Sequence, residues 1–215
     1  KNVRLFCGAP MLSYGLNAAS QSGLYAEIHV STDSDDIAAL AADLGHAPAF
    51  RRTAGLAGND VPLLEVLRWV VRQFTERGQS FDEVCLIYAA APLIEAAALV
   101  DGHEKFAAHG GAHPVITVGR FPTPVERAMR IDDGGLLRWL APAHRFAQSQ
   151  DLSTTYFDTG AFLIMAPAHL EEEGFPAFEA MLPMVLPLDK VADINDAEDL
   201  ALAEALYRGR LTRDA

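Results

Sequence analysis

The feature that most constrains this fold is an alternation of buried apolar runs with segments of helical periodicity. The run CLIYAAAP, within residues 83–92, is apolar at nearly every position, which is typical of a strand covered on both faces of a parallel sheet. Before it, in residues 63–74, apolar side chains recur every three or four positions. The same alternation recurs along the chain, so we predict an α/β fold with a Rossmann-like, mostly parallel sheet covered by helices.

The flanking residues set the expected bounds of each element. Pro10 suits the first turn of a helix, and Gly23 suits its end. We predict helices near residues 10–22, 34–44, 63–78, 95–109 and 196–207, and a short helix after residue 165. We predict strands at residues 25–33, 47–50, 83–92, 113–120, 149–165 and 184–194.

One segment differs in kind from the rest. FPTPVERAMRIDDGGLLRWL carries two prolines and then alternating residues interrupted by Asp133-Gly134-Gly135, which is a strong hairpin signal. We therefore expect residues 1–215 to form a single domain with a hairpin arm at about 121–150. An arm that leaves the sheet in this way is suited to packing on a second subunit, so we expect a homodimer.

Composition excludes several classes of function. The formal net charge of −12 argues against a general nucleic-acid binder, which needs a basic surface. No run approaches the roughly 18 apolar residues of a membrane span, so no membrane partner is expected. Cys7 and Cys85 are isolated in apolar surroundings, which favours reduced thiols in a cytoplasmic protein.

The first apolar run, VRLFCG, leads straight toward a helix, as though an earlier strand and loop were absent.

Ligands of open α/β sheets bind at the carboxyl ends of the strands, which makes the polar residues there the first site candidates. These residues are Ser31-Thr32-Asp33, Tyr88 to Pro92, Phe121-Pro122 and Asp158-Thr159-Gly160. Each has a structural alternative, since Asp33 could cap a helix and Pro92 could begin one. No dinucleotide, Walker or α/β-hydrolase motif occurs, so these residues alone predict a nucleotide-sized crevice without a defined chemistry.

The stretch VADINDAEDL, residues 191–200, allows two interpretations. Asn195 or Asp196 can be the N-cap of the last helix, and Glu198 or Asp199 can complete a motif like a capping box. Alternatively, the carboxylates can hold a divalent metal.

Several segments resemble, in order, the cytidylyltransferases that activate nonulosonic acids, namely the CMP-sialic acid synthetases and, more closely, the pseudaminic acid cytidylyltransferases. The segments are KNVRLFCGAPMLSY, EIHVSTDSDDIAALA, YAAAP, FPTPVERA, SQDLSTTYFDTGAF and VADINDAEDL. The resemblance implies a fold of the nucleotide-diphospho-sugar transferase type. It also implies transfer of CMP from CTP to the anomeric hydroxyl of a sugar acid, with release of pyrophosphate, for surface glycan or flagellin modification.

The same resemblance implies a role for particular residues. It places Lys1, Asn2 and Arg52 at the nucleotide, and it assigns Tyr88 and Pro92 to the nucleotide-binding site, beside the nucleotide or the sugar. It places Gln150, Asp151, Tyr156 and Asp158 at the sugar. It makes Asp193 the catalytic metal ligand, with Asn195 as the second ligand, for Mg²⁺. It further implies CTP and a nonulosonic acid as partners, and a homodimer in which the hairpin packs on the neighbouring subunit. Asp196 to Asp199 are then left to cap the helix.

The chain also departs from this family at defined positions. A glycine- and lysine-containing loop precedes the Lys1-Asn2 pair in the family, whereas this sequence begins at that pair. Ala89 to Ala91 replace a hydroxyl residue, Gln148 replaces an arginine, and Phe157 and Asn195 replace a basic and an acidic residue. Each change removes a charge or hydroxyl that would meet phosphate or sugar carboxylate. A second interpretation is therefore a divergent, non-catalytic or weakly active member that serves as a binding or assembly protein.

Overall fold

The computed structural model describes residues 3–58, 60–192 and 194–213. Three residues that the sequence assigns to the site, Lys1, Asn2 and Asp193, lie outside the described residues. Helices are α1 (Met11–Ser22), α2 (Asp35–Asp43), α3 (Leu63–Thr75), α4 (Ala96–Ala108) and α5 (Ala197–Arg213). Strands are β1 (Leu5–Phe6), β2 (Ala9–Pro10), β3 (Val84–Ile87), β4 (Val115–Arg120), β5 (Met129–Ile131), β6 (Leu137–Trp139), β7 (Tyr156–Met165) and β8 (Leu182–Leu186). Short 3₁₀ turns connect several of them.

The central sheet of the described residues has four strands in the order β3-β7-β4-β8. Strand β7 runs antiparallel to both β3 and β4, whereas β8 runs parallel to β4. Three strands therefore share one direction, and the sheet is mixed because β7 is inserted between two of them. An apolar run reports burial on both faces and carries no information about strand direction, so the sequence could not reveal this insertion.

Alternate side chains of β7 explain how helices come to cover both faces of the sheet. Phe162 and Ile164 pack with Leu99 and Phe106 of α4, and all four are buried. The intervening Leu163 and Met165 pack instead with α3. This period of two places one helical layer on each side of β7, which confirms the predicted α/β arrangement. Each large side chain buried in these layers contributes about 1.5–3 kcal/mol to folding.

The five longer predicted helices all form, and most begin and end close to the expected residues. The short helix expected after residue 165 is a 3₁₀ turn at Pro167–Leu170. Gly23 follows α1 in the left-handed conformation, with φ of 68°, as its role as a helix stop predicts. Helix α5 continues to Arg213 rather than ending near residue 207. Its last turns are held by tertiary contacts, because Arg210 is paired with Glu95 and Arg213 contacts Asp189 at 2.8 Å. Because these partners are distant in sequence, the local pattern of residues could not predict where the helix ends.

Two of the predicted strands are wrong, since neither residues 25–33 nor residues 47–50 are paired in a sheet. A strand requires a neighbouring backbone, and the side-chain pattern shows only which positions are buried. The apolar character of the second segment serves packing instead. The Phe50 ring lies 4.3 Å from that of His29 and 4.9 Å from that of Phe74 in α3, measured between ring centroids.

The predicted hairpin forms, with Met129 paired to Trp139 and Ile131 paired to Leu137. Its turn is stabilised by Asp132, whose Oδ1 accepts hydrogen bonds from the backbone N–H groups of Gly134 and Leu136. The existence of the hairpin is confirmed. Its contact with a second subunit, and the assignment of residues 1–215 to one domain, stay predictions.

Candidate functional site

A cavity of about 950 Å³ lies between β3 and the segment of residues 24–31. Three of the expected site residues, Arg52, Tyr88 and Asp158, line it together. Tyr88 directly follows β3, and Asp158 is opposite Val118 near the carboxyl end of β4. The cavity therefore reaches the carboxyl edge of the parallel strands, where α/β sheets bind their ligands.

Tyr88 and Asp158 both line this cavity. Burial, together with the negative charge of Asp158, raises the pKa of the Tyr88 hydroxyl, so that Tyr88 stays protonated as a hydrogen-bond donor. Asp158 is exposed, and its Oδ1 accepts a hydrogen bond of 2.8 Å from the backbone N–H of Gly160. Gly160 has φ of 58°, a conformation that favours glycine. The turn at Gly160 thus fixes the carboxylate beside the tyrosine.

Arg52 supplies positive charge to the same cavity. Its Nη2 lies 3.3 Å from Oδ1 of Asp33, and its backbone N–H donates to the carbonyl of Thr32. Its Nε is buried and has no hydrogen-bond partner among the described residues, so a donor is left for a ligand. Helix α2 is capped by Ser34, whose hydroxyl accepts from the N–H of Ile37. Asp33 therefore orients Arg52 and does not cap the helix.

The loop after β3 presents mainly methyl groups to the cavity. Ala89 and Ala90 line it, whereas Ala91 is buried and the Pro92 side chain is almost fully buried. The backbone turns tightly, with the N–H of Ala91 donating to the carbonyl of Tyr88. Any contribution of Pro92 to nucleotide binding therefore acts through the shape of this loop.

A small apolar cluster brings the start of the chain, the loop after β3 and the segment around residue 194 together. Ile194 is 3 % exposed and packs with Phe6, Met11 and Leu93, while Ala192 and Ala90 lie against the same cluster. The residues on both sides of position 193 are thus anchored beside the loop after β3.

The carboxylates that follow are engaged in capping α5. Oδ1 of Asp196 accepts hydrogen bonds from the N–H groups of Glu198 and Asp199, at 2.8 and 2.9 Å. Oδ2 of Asp199 accepts from the N–H groups of Asp196 and Asn195. The capping prediction is confirmed. In the part of the chain that the structure describes, no group of three or more histidine, cysteine and acidic side chains could hold a metal.

Of the four residues expected at the sugar, Asp158 lines this cavity and the other three do not. Gln150 and Asp151 lie in an exposed 3₁₀ turn, where Nε2 of Gln150 donates to Oε1 of Gln148 at 2.7 Å. Tyr156 is exposed at the start of β7, opposite Arg120 of β4. None of them lines the cavity that Arg52, Tyr88 and Asp158 share.

Phe157, which stands where the family carries a basic residue, packs on the sheet. Its ring centroid is 5.0 Å from that of Phe121, and the ring lies directly over Gly119. A Cβ atom at position 119 would approach the ring to 2.6 Å, so the glycine makes room for it. Phe157 therefore has a packing role in β7.

Sequence reasoning missed His29 as a lining residue. Both of its ring nitrogens are buried without a hydrogen-bond partner among the described residues, as is the hydroxyl of Ser31 nearby in the chain. Burial, reinforced by the positive charge of Arg77, lowers the pKa of His29 to about 4. A histidine within an apolar run carries no periodic signal, so only the cavity reveals it.

Comparisons with known proteins find sequence similarity along nearly the whole chain. A family profile described as "Cytidylyltransferase" matches residues 1–212. A pseudaminic acid cytidylyltransferase from Campylobacter jejuni subsp. jejuni serotype O:2 is 29% identical over 208 residues, which cover 97% of this chain and 89% of that protein. An N-acylneuraminate cytidylyltransferase from Oncorhynchus mykiss is 26% identical over 190 residues, covering 85% of this chain and 42% of that protein.

Solved structures share the fold. A CMP:2-keto-3-deoxy-manno-octonic acid synthetase complexed with CTP superposes with a TM-score of 0.67 at 11% identity, covering 98% of this chain and 92% of that one. At this identity the likeness shows the fold alone. Among the described residues, none of the helices has the length and apolar character needed to cross a membrane.

Proposed function

Because this chain belongs to the cytidylyltransferase family, we propose that it transfers CMP from CTP to a nonulosonic acid of the pseudaminic or sialic type, releasing pyrophosphate. The observation that carries the proposal is the convergence of Arg52, Tyr88 and Asp158 on one cavity at the carboxyl edge of the sheet. The near full-length similarity to a pseudaminic acid cytidylyltransferase supports this class of sugar acid.

At the nucleotide end, Arg52 is the arginine that lines the cavity, and its unpartnered Nε is suited to a phosphate oxygen. A protein of net charge −12 must concentrate positive charge locally to hold a triphosphate. Asp33 keeps the guanidinium in place beside the cavity. Arg52 therefore binds the triphosphate and leaves the α-phosphorus open to attack. Lys1 and Asn2 belong to the same proposed nucleotide site.

At the sugar end, Asp158 accepts and Tyr88 donates hydrogen bonds. The acceptor is fixed by the N–H of Gly160, and the donor keeps its proton because its pKa is raised. Together they orient the sugar acid so that its anomeric hydroxyl attacks the α-phosphorus in line with the leaving pyrophosphate. Gln150, Asp151 and Tyr156 approach the sugar from the exposed side of β7.

We further propose that Asp193 and Asn195 hold Mg²⁺. Magnesium is usually bound by one or two protein carboxylates beside phosphate oxygens and water, so this sparse donor set fits it. Asp196 and Asp199 are assigned to the cap of α5, because one oxygen of each carboxylate accepts backbone N–H groups of the first turn. When bound, the ion would neutralise charge on the triphosphate. The packing of Ala192 and Ile194 beside the cavity loop supports this location.

A second candidate function follows from the replaced residues. Ala89 and Ala90 offer the cavity methyl groups where a hydroxyl is expected, and Asn195 offers no charge to a metal. These features favour a member that binds a nucleotide or sugar acid without turning it over. Such a protein would serve binding or assembly.

We also propose a homodimer formed through the hairpin arm. The arm exposes large apolar side chains that a monomer would leave in water. These are Ile131 at 71%, Leu136 at 58%, Leu137 at 62%, Leu140 at 60% and Phe146 at 85% exposure. Several exposed large apolar side chains on one excursion from the sheet are typical of a subunit interface. Cys7 and Cys85 are free thiols, which supports a cytoplasmic setting in which the product feeds surface glycan or flagellin modification.

Calorimetry of CTP binding tests the proposed nucleotide site. Removal of one charged hydrogen-bonding group costs about 1.5–3 kcal/mol, so Arg52→Ala should weaken CTP binding about 10- to 100-fold. Arg72→Ala is the matched control, because Arg72 pairs with Glu171 outside the cavity, and it should bind CTP as the wild type does. Equal CTP affinity of Arg52→Ala and the wild type would contradict this placement.

A further inference from the structure

We propose that Glu95 is a positioning residue for the reaction, because its carboxylate fixes the segment of residues 188–195 beside the loop after β3. This role rests on the proposed function, in which the segment carries the magnesium ligands Asp193 and Asn195. Glu95 acts on the segment through Lys190, with which it forms an ion pair.

Glu95 occupies the N-cap position of α4 without capping the helix. Its φ and ψ of −123° and 152° are extended, and within the described residues its side chain makes no capping hydrogen bond. Serine, threonine, asparagine and aspartate are preferred at an N-cap, because their short side chains reach the first N–H groups of the helix. The longer carboxylate of Glu95 instead contacts two cations from distant parts of the chain.

The first cation is Arg210, near the end of α5. Its guanidinium is paired with Oε1 of Glu95, and its Nη1 donates to the carbonyl of Leu93 at 3.3 Å. The Arg210 side chain is only 11% exposed, and Leu93 is buried in the cluster that contains Ile194. Because the guanidinium is a rigid fork, contacts with a carbonyl and a carboxylate together fix the direction of that carboxylate.

The second cation is Lys190, whose Nζ donates to Oε2 of Glu95 at 2.5 Å. Lys190 ends the 3₁₀ turn Leu188–Lys190, in which its backbone N–H donates to the carbonyl of Pro187. The side chains of Lys190 and Glu95 are 34% and 35% exposed, so solvent screens their attraction. The pair therefore contributes more to the position of the turn than to the stability of the fold.

Apolar contacts hold the rest of this segment. Val191 packs against the central core, and Ile194 packs in the cluster with Leu93. Burial of apolar surface is not directional, so these contacts leave the segment free to shift along the core. The contact of Lys190 with Glu95 is the directional one on the side of the loop after β3.

The loop after β3 is fixed without this ion pair. The backbone N–H of Tyr88 donates to the carbonyl of Ala161 in β7 at 3.0 Å, and the N–H of Ala91 donates to the carbonyl of Tyr88 at 3.2 Å. Ala91 is also buried. Loss of the pair should therefore displace the segment of residues 188–195 and leave the loop in place.

Such a displacement matters because the proposed donor set for Mg²⁺ is sparse. Magnesium requires nearly ideal octahedral geometry, and a site with one carboxylate and one amide has no further protein ligand to compensate for a shift. Groups that orient metal ligands usually change metal affinity or activity by about 10- to 100-fold when they are removed.

Calorimetry of CTP binding without sugar acid tests this role. Wild type, Glu95→Gln, Lys190→Met and the double variant are each titrated in EDTA and over a series of Mg²⁺ concentrations. We expect Glu95→Gln to raise the Mg²⁺ concentration that half-saturates the gain in CTP affinity by at least about tenfold, with the affinity in EDTA unchanged. Lys190→Met should have the same effect, and the double variant should be no worse than the worse single variant, because both residues act through one contact.

Glu171→Gln is the matched control. It removes the ion pair with Arg72, which lies outside the cavity, and should bind CTP and respond to Mg²⁺ as the wild type does. Hydrogen exchange of the same proteins without nucleotide gives a readout that needs neither metal nor CTP. We expect faster exchange in residues 188–195 of Glu95→Gln and unchanged exchange in residues 84–91.

Four results would contradict this account. Equal exchange in Glu95→Gln and the wild type would show that the segment is held without the ion pair. Faster exchange with an unchanged dependence on Mg²⁺ would make Glu95 a structural residue only. Weaker CTP binding by Lys190→Met in EDTA would assign Lys190 to the phosphates directly. These three results leave the proposed function standing, whereas absence of CTP binding by the wild type would refute that function and this role with it.

Discussion

Asp196 and Asp199 each accept a hydrogen bond from the backbone N–H of the other at the start of α5. The Asp196 carboxylate accepts from the N–H of Asp199 at 2.9 Å, and the Asp199 carboxylate accepts from the N–H of Asp196 at 3.1 Å. This reciprocal pair is a capping box with aspartate in both positions. The relationship gives two carboxylates of the acidic stretch a structural role at the start of α5.

The capping box predicts a stability effect at Asp199. The Asp199→Ala variant loses the side chain that accepts from two backbone N–H groups, so it should lower the free energy of unfolding by about 1 kcal/mol. The measurement is urea denaturation followed by circular dichroism. Leu202→Ala on the same helix is the control, because Leu202 is 62% exposed, and it should change stability by less than about 0.5 kcal/mol. Equal effects of the two variants would contradict the capping role.

Two glycine-to-alanine substitutions in helices should have opposite signs. A Cβ atom at Gly102 in α4 would lie 2.9 Å from both Ile164 and Phe162, which are buried, so Gly102→Ala should destabilise the fold by about 1–3 kcal/mol. A Cβ atom at Gly209 in α5 meets nothing within 4 Å, so Gly209→Ala should stabilise it by about 0.5–1 kcal/mol. Thermal unfolding of both variants checks the pair, and a stabilising Gly102→Ala would disprove the tight contact of α4 with β7.

His29 predicts a loss of stability on acidification. Its pKa in the folded protein is about 4, below the ordinary value of 6.5, so between these values the unfolded chain binds a proton that the folded chain does not. Stability should therefore fall as pH drops from about 6.5 to about 4, by at most about 3 kcal/mol from this group, and level off below. His29→Phe, which keeps ring contacts with Phe50 and Phe74, should remove this component in urea titrations.

The exposed His144 provides the control for that experiment. His144→Phe lies in the hairpin arm and should keep the acid-dependent loss of the wild type. The account of His29 is wrong if both variants show the same pH dependence as the wild type.

The hairpin arm predicts the oligomeric state. Ile131→Asp places a charge on a side chain that is 71% exposed in the monomer, so it should shift a dimer toward monomers without unfolding the domain. Sedimentation at micromolar concentration, with circular dichroism as a check of folding, measures this. Leu211→Asp, at a residue 57% exposed near the end of α5, should leave the dimer intact. A wild-type monomer would contradict the proposed interface.

The sequence predicted those features that depend on local chemistry. Helical periodicity located the helices, Asp133-Gly134-Gly135 located the hairpin, and the acidic stretch before α5 predicted its cap. Each signal resides in a few consecutive residues and requires no distant partner. The resemblance to a family supplied what these signals cannot, namely the nucleotide and the sugar acid.

The features that sequence could not predict depend on distant partners. Residues 25–31 have a strand pattern but no backbone hydrogen bond to another described residue. Strand β7 lies antiparallel between β3 and β4, although its apolar run suggests no direction. In the sequence, Phe157 is interpreted as the replacement of a basic residue. In the structure, its ring packs on Gly119 of β4. The pairing of Arg52 with Asp33 likewise replaced the expected helix cap at Asp33.

The most direct test of the central claim is pyrophosphate release from CTP by the encoded full-length protein, with Mg²⁺ and a panel of pseudaminic, legionaminic and N-acetylneuraminic acids. We expect release that depends on one of these acids, falls at least about 100-fold in Asp193→Ala, and falls at least about tenfold in Asp158→Asn. Asp196→Asn is the matched control, since asparagine also caps helices and turnover should stay within about threefold of the wild type. Absence of release with every acid, together with absence of CTP binding by calorimetry, would contradict the enzyme and favour the assembly role.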